Sequence, residues 1–221
     1  MYFIQFDLSL IKKKTMEAAI APHISPKPKS IAIPSYLIYE VLDGKPIYFR
    51  GYQDVLNHKK TKEDIMATGR LQTLIISTLQ EHLWANHNQE GLKYMSNEVG
   101  IHISTNINLS CDLVAFDKTI LAATADDIHY YTIPPKFVIE VDTNGDFSDE
   151  IFEDYLFKKS QRLLAFGVEQ VIWILTASKT VTVGTPDGIF ITHGWERPIE
   201  IFKGNPIVLE DLFKENGIKI V

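Results

Sequence analysis

Apolar residues in the first half of the chain fall into short runs and one stripe at helical spacing. Two runs flank Asp43-Gly44, a dipeptide that accepts the positive φ angles of a tight hairpin turn. Between residues 70 and 86 the apolar positions recur as on one face of an amphipathic helix. Strand-like segments follow at 94–103 and 109–116. The pattern predicts a hairpin, a helix and two strands in that order.

The second half predicts a strand, a helix and a second strand parallel to the first. Residues 136–141 form a short apolar run rich in branched side chains, which is typical of a buried strand. A helix is expected from about Ser148, a suitable cap, to Gly167, a suitable stop. A further buried strand at 171–175 completes a unit with a right-handed crossover. Shorter elements are predicted after it, with strands at 180–184, 189–193 and 198–202 and a helical turn at 209–213.

Composition is that of a globular protein of ordinary size. The chain has 221 residues, of which 45% are hydrophobic and 23% charged. Residues 1–30 lack periodicity and end in a proline-rich stretch, so we interpret them as an N-terminal arm and residues 31–221 as a single domain. Because a lone cysteine, Cys111, cannot form an internal bridge, a reducing cytoplasm is the expected compartment. No stretch approaches the roughly 20 apolar residues of a membrane span.

The charge balance bears on possible partners. The formal net charge is −6, which argues against nucleic-acid binding over a broad, positively charged surface. Local lysine clusters, such as Lys158 and Lys159, are compatible with a smaller contact to nucleic acid. A solvated surface is the simpler interpretation of the other clusters.

Two carboxylates interrupt apolar strands. Alternation places Asp112 on one strand face with Val114 and Phe116, and Glu140 lies within the apolar run Phe137–Val141. Burying an unpaired carboxylate costs several kcal/mol, so each side chain needs a cation, a hydrogen-bond network or a metal. Carboxylates on neighbouring strands are natural ligands for Mg²⁺ or Mn²⁺. For Asp112 alone, capping a neighbouring turn is an equally good interpretation.

A lysine on the following helix supplies a third charged group. Lys159 falls in the middle of the apolar stripe of the helix, and Lys158 points away from it. A lysine beside two carboxylates can neutralise charge on a phosphate and orient the attacking water, while a metal activates that water. Alternatively, Lys159 extends out of the core to solvent. The sequence has no G-x-S-x-G motif, and Cys111 has no evident histidine partner.

The order of these segments resembles the bacterial Uma-type restriction endonucleases of the PD-(D/E)XK nuclease superfamily. The resemblance rests on the segments around Asp112, on Pro134 to Val141 with Glu140, on Lys159 before Gly167-Val168, and on Val171 to Ile174. The hairpin segment Tyr39 to Gly44 and the closing segment Leu209 to Phe213 also match, so the likeness covers about residues 36–213.

The resemblance implies an α/β fold with a restriction-endonuclease-like core. In such a fold a central mixed β-sheet is flanked by helices, and here an N-terminal hairpin precedes it. By the resemblance, Asp112 and Glu140 hold Mg²⁺ or Mn²⁺, Lys159 replaces the lysine usually found two residues after the glutamate, and Glu40 assists.

The chain departs from the family pattern at several positions. Cys111 stands where proline usually precedes the aspartate, and Leu163 stands where the family often has tyrosine. The segment 67–72 lacks the histidine common near there. Asp142 occupies the usual lysine position, where it is either an extra ligand or the start of a turn, and we favour the turn.

Two functions follow from this pattern. The first is a metal-dependent DNA endonuclease that hydrolyses phosphodiester bonds, acting as a homodimer so that two sites address two strands. The alternative is a catalytically inactive module that keeps the nuclease fold and binds nucleic acid or protein.

Overall fold

The computed structural model describes residues 33–87, 91–124, 128–142 and 152–219. In these ranges an eight-stranded mixed sheet has the strand order β2-β1-β4-β5-β6-β7-β8, with β3 paired to the other edge of β4, and a separate two-stranded sheet pairs β9 with β10. The strands are β1 (Ile38–Leu42), β2 (Lys45–Tyr48), β3 (Leu92–Ser104), β4 (Ile107–Asp117), β5 (Phe137–Val141), β6 (Gln170–Leu175), β7 (Thr180–Gly184), β8 (Phe190–Gly194), β9 (Pro198–Ile199) and β10 (Ile207–Val208). The helices are α1 (Tyr52–Leu56), α2 (Glu63–Met66), α3 (Arg70–His87), α4 (Lys118–Ala122), α5 (Phe152–Phe166) and α6 (Leu209–Glu215).

The sheet separates two apolar cores. One core packs α3 and α6 against the sheet through residues such as Ile75, Leu79 and Phe213. The other packs α5 against the opposite face through Tyr155, Leu156 and Leu163 among others. Because both faces are covered, the central strands have little solvent-exposed surface; all five residues of β5 are buried.

Most of the predicted elements are confirmed. The hairpin turns at Asp43 and Gly44, whose φ angles of 52° and 76° suit a two-residue turn. The helix α3 and the parallel pairing of β5 with β6 are also as predicted. The strand expected at 198–202 is shorter, since β9 ends at Ile199. Helices α1 and α4 were not predicted.

Two expectations fall on parts of the chain that the structure does not describe. These are the N-terminal arm at 1–30 and the cap of α5 at Ser148. In the described ranges, no helix is both long and apolar enough to cross a membrane.

Strand β4 changes partners along one edge. β1 pairs with β4 at Asn108, and β5 pairs with it only from Leu113 to Ala115. The stretch from Ser110 to Asp112 therefore lies between two neighbouring strands. This opening holds the charged residues described next.

Candidate active site

Lys159 lies at the centre of a buried ion cluster beneath the sheet. Its Nζ is 3.0 Å from Glu40 Oε2 and 3.1 Å from Glu140 Oε1, and all three side chains are at most 1% exposed. The ammonium also donates a 2.7 Å hydrogen bond to the carbonyl oxygen of Ser110. In turn, the amide of Ser110 donates to Glu40 Oε2 at 3.3 Å. Charged side chains thus bind backbone groups of β4 at the point where β1 and β5 separate.

Aromatic rings surround the same ammonium. The Nζ atom of Lys159 lies 5.7 Å from the ring centroids of Tyr155 and Trp173 and 6.0 Å from that of Tyr39, within the range of cation–π attraction. Burial alone lowers the pKa of Lys159, but attraction to Glu140 and Glu40 outweighs it and holds the pKa well above the ordinary value. Lys159 is therefore a permanent cation, and the predicted alternative of extension to solvent is wrong.

Glu140 is buried with little hydrogen bonding. It is 1% exposed, and neither of its carboxylate oxygens accepts a hydrogen bond of good geometry from a described residue, although Oε1 is ion-paired with Lys159. Burial raises the pKa of Glu140 to about 8, with Lys159 opposing the rise and Asp112 adding to it. A buried carboxylate in this state favours a further cation.

Asp112 has different partners. The Nε2 of Gln72 on α3 donates to both of its oxygens at 3.1 Å, and the amide of Val141 donates to Oδ2 at 2.7 Å. Burial raises the pKa of Asp112 to about 7, and the Val141 hydrogen bond opposes the rise. In the described residues no ion pair joins Asp112 to Lys159, so the structure brings Lys159 together with Glu140 and Glu40 but leaves Asp112 beside them.

The predicted alternation of β4 is wrong at this point. Cys111 packs with Val114 and Phe116 on the α5 side, whereas Leu113 and Ala115 pack on the α3 side. The regular alternation therefore breaks around Asp112, whose carboxylate lies between Gln72 of α3 and the backbone of β5. At the same place the neighbouring strand β3 slips in register between Ser96 and Val99, opposite this residue.

Two polar residues next to Asp112 were missed from the sequence. Gln72 is 8% exposed and binds the Asp112 carboxylate directly. Glu98, in the β3 irregularity, accepts a 2.5 Å hydrogen bond from the hydroxyl of Ser110 and adds to the rise of the Asp112 pKa. Two signals for these residues were present in the sequence. Gln72 is a polar residue at the start of the apolar stripe of α3, and Asn97 and Glu98 are adjacent polar residues inside β3.

Asp142 has a structural role. Its carboxylate accepts hydrogen bonds from the amide of Thr176 at 2.9 Å and from the hydroxyl of Thr176 at 2.5 Å, and its φ angle is 48°. These bonds tie the end of β5 to the end of β6. The turn predicted from Asp142 continues into residues 143–145, outside the described ranges, and the described contacts of Asp142 are with Thr176 and the β6 backbone.

The donor atoms fit a divalent cation of the Mg²⁺ or Mn²⁺ type. They are carboxylate oxygens, and those of Glu140 are buried with Lys159 paired to Oε1 alone. In the ranges that the structure covers, no group of three or more candidate ligands is assembled. Sites that bind Mg²⁺ through one or two carboxylates, with water and substrate phosphate completing the shell, do not need such a group.

Comparison of structures defines the class of fold. The chain is similar to the crystal structure of a putative nuclease belonging to DUF820 from Anabaena variabilis ATCC 29413, with a TM-score of 0.58 and 15% sequence identity over 79% of this chain and 89% of that chain. The likeness confirms the predicted fold class, a mixed α/β core with a central sheet flanked by helices.

The family follows from the sequence itself. Residues 62–214 match the model of the Uma2 family, described as "Putative restriction endonuclease". The match spans more than half of the chain, so the chain belongs to the Uma2 family. A comparison with curated proteins gave no match.

Proposed function

We propose that this chain is a metal-dependent DNA endonuclease that hydrolyses phosphodiester bonds at a site formed by Asp112, Glu140 and Lys159, with Glu40 assisting. The observation that carries the proposal is the position of Lys159. Lys159 lies on α5, which follows β5 in the sequence, and its Nζ is 3.1 Å from Glu140 Oε1, next to the strand that carries Asp112. The family to which the chain belongs supports nuclease chemistry.

Each residue has a distinct role in this proposal. Asp112 and Glu140 would hold a Mg²⁺ or Mn²⁺, which when bound would activate a water and supply positive charge for the phosphate. Lys159 carries a permanent positive charge that stabilises the charge developing on the phosphate oxygens. Glu40 forms a second ion pair with the Lys159 ammonium and fixes its position. Gln72 and the amide of Val141 orient the Asp112 carboxylate.

The substrate and assembly are part of the same proposal. DNA is the proposed substrate, in keeping with the description of the family as restriction endonucleases. A homodimer presents two such sites to the two strands of a duplex.

The test is nicking of supercoiled plasmid by the purified protein with Mn²⁺ and with Mg²⁺. Wild type is compared with Asp112→Asn, Glu140→Gln and Lys159→Met. The matched control is Asp117→Asn, at the other end of β4, where the side chain caps α4 and asparagine also caps well. Metal-dependent nicking by the wild type and by the control, lost in the three site variants, supports the proposal. Equal residual nicking in all five proteins contradicts it.

One observation favours the second candidate, a nuclease-fold module that binds nucleic acid or protein without cleaving. Asp112, Glu140 and Lys159 are 2%, 1% and 0% exposed, so the cluster is enclosed by protein. A buried ion cluster that only stabilises the fold has the same appearance. DNA binding without nicking in the plasmid assay, at any concentration of metal, identifies this module.

A further inference from the structure

The described sheet has three edge strands, β2, β3 and β8, and two of them carry features that hinder pairing with another chain. β2 contains Lys45 and Pro46, residue types that natural proteins place on edges to block such pairing. β3 is irregular in register, and Tyr131 covers its outer edge, where the Tyr131 amide donates to the carbonyl oxygen of Gly100 at 2.9 Å. β8 has neither kind of protection: it contains no lysine, proline or bulge, and β7 is its only partner strand in the described ranges.

Alternate residues of β8 direct their backbone groups to this open edge. The amide of Trp195 donates to the carbonyl oxygen of Lys179 at 3.1 Å, which identifies the odd-numbered residues of the strand as those bonded to β7. The even-numbered residues Phe190, Thr192 and Gly194 therefore point their amides away from β7. A further strand is the natural partner of such an edge.

Apolar side chains flank the open edge on both faces of the sheet. Ile191 is 50% exposed and pairs with Val183, which packs on the core that faces α3. On the α5 face, the ring of Phe190 packs against that of Phe157, which is also exposed. β8 itself has no acidic or basic residue other than His193. Because each copy of the chain carries a net charge of −6, this uncharged strand is a surface where two copies can meet with little repulsion.

We propose that two copies of this chain pair antiparallel through β8, about a two-fold axis at Thr192, and form one continuous sheet. Thr192 of each copy exchanges two backbone hydrogen bonds with Thr192 of the other copy, and Phe190 of one copy lies opposite Gly194 of the other. The inference rests on the homodimer of the proposed function and names its interface. It does not depend on cleavage.

The charges at the ends of β8 are complementary under the same symmetry. Asp187 of one copy falls opposite Arg197 of the other, and both residues are exposed. Glu196 falls opposite Gly188, which has no side chain. Opposite charges at facing positions favour this register, and the two-fold axis produces the Asp187–Arg197 match twice.

The experiment is sedimentation-velocity ultracentrifugation of the full chain over a series of concentrations, without DNA or metal. The wild type is expected to sediment as a dimer. Ile191→Lys introduces a residue type that blocks edge pairing, and we expect it to raise the dissociation constant of the dimer at least about tenfold, because each dimer then contains two added charges. The matched control is Ile120→Lys, the same change at an isoleucine of α4 that is 46% exposed, and its dimer is expected to persist.

Thr192→Cys tests the register of the pairing. The Cα atoms of a hydrogen-bonded antiparallel pair are about 5.5 Å apart, which is within the range of a disulfide. Mild oxidation of Thr192→Cys is therefore expected to give a covalent dimer on a non-reducing gel. Ile120→Cys is the control and is expected to give none, and the native Cys111 is buried.

The outcomes separate this inference from the proposed function. A wild type that stays monomeric at every concentration overturns both the β8 interface and the homodimer, while the plasmid assay still tests the catalytic site. A wild-type dimer that Ile191→Lys leaves intact, or that Thr192→Cys does not cross-link, overturns the β8 interface and leaves the homodimer standing. Melting curves of each variant by circular dichroism identify any change that comes from unfolding.

Discussion

Replacing Lys159 with methionine removes the cation that pairs with two buried carboxylates. Methionine preserves the length and apolar packing of the side chain. It eliminates the contacts of 3.0 Å to Glu40 and 3.1 Å to Glu140, as well as the hydrogen bond to Ser110. The carboxylates then have no counter-charge in an enclosed site, and they must bind protons for the chain to remain folded.

The cost of this change depends on pH. When a carboxyl group stays protonated only in the folded state, the free energy of unfolding of the protein falls as pH rises above the ordinary pKa of the group. The fall is about 1.4 kcal/mol for each pH unit. Glu140 already bears much of this cost in the wild type, because its pKa is about 8. The additional loss comes from breaking the pairs of Lys159 with Glu40 and Glu140. We expect about 3–5 kcal/mol at about pH 8, the range measured for breaking a buried pair, and about 1–2 kcal/mol at about pH 5.

The assay is urea denaturation of wild type and variant at both pH values. The control is Arg162→Met, on the same helix, which loses an exposed ion pair with Asp43. Such surface pairs contribute about 0–1 kcal/mol, with little dependence on pH in this range. A Lys159→Met variant that loses no more stability than Arg162→Met, or that loses equal amounts at both pH values, refutes the reasoning.

Three further predictions concern the same region and the hairpin. Burial raises the carboxyl pKa of Asp112 to about 7 and that of Glu140 to about 8, so the stability that these groups contribute is complete below the ordinary carboxyl range and is lost as pH rises through these values. The free energy of unfolding should therefore fall from about pH 5 to about pH 8, and Asp112→Asn should reduce that fall. Gln72→Leu should cost about 1–3 kcal/mol in urea denaturation by leaving a buried acceptor short of a donor, and a neutral result would contradict the role given to Gln72. Gly44→Ala, at a φ of 76°, should cost about 1–2 kcal/mol, and an unchanged melting temperature would argue against the hairpin turn described here.

Local patterns were sufficient to predict most of the fold. The turn at Asp43-Gly44, the stripe of α3 and the apolar run of β5 each depend on residues close in sequence. The buried position of Lys159 was also visible, since a lysine in the middle of an apolar stripe must either reach a partner or leave the core.

The environment of Asp112 depends on residues distant in sequence. The side-chain alternation of β4 breaks where β3 bulges, and a bulge in a partner strand is not visible in the local pattern of β4. Gln72 precedes Asp112 by 40 residues and meets it only after α3 packs on the sheet. A polar residue that continues the spacing of Ile75, Leu79 and Leu83 was a signal for this contact, although its partner could not be identified from the sequence.

The most direct test of the proposed chemistry is the single-turnover cleavage rate of a labelled DNA duplex with Mn²⁺. The comparison is between Glu140→Gln, which keeps the shape of the side chain, and Asp117→Asn, the control on β4. We predict that cleavage by Glu140→Gln falls at least about a hundredfold while the control cleaves like the wild type. Cleavage by Glu140→Gln at the wild-type rate would show that phosphodiester hydrolysis does not take place at this site.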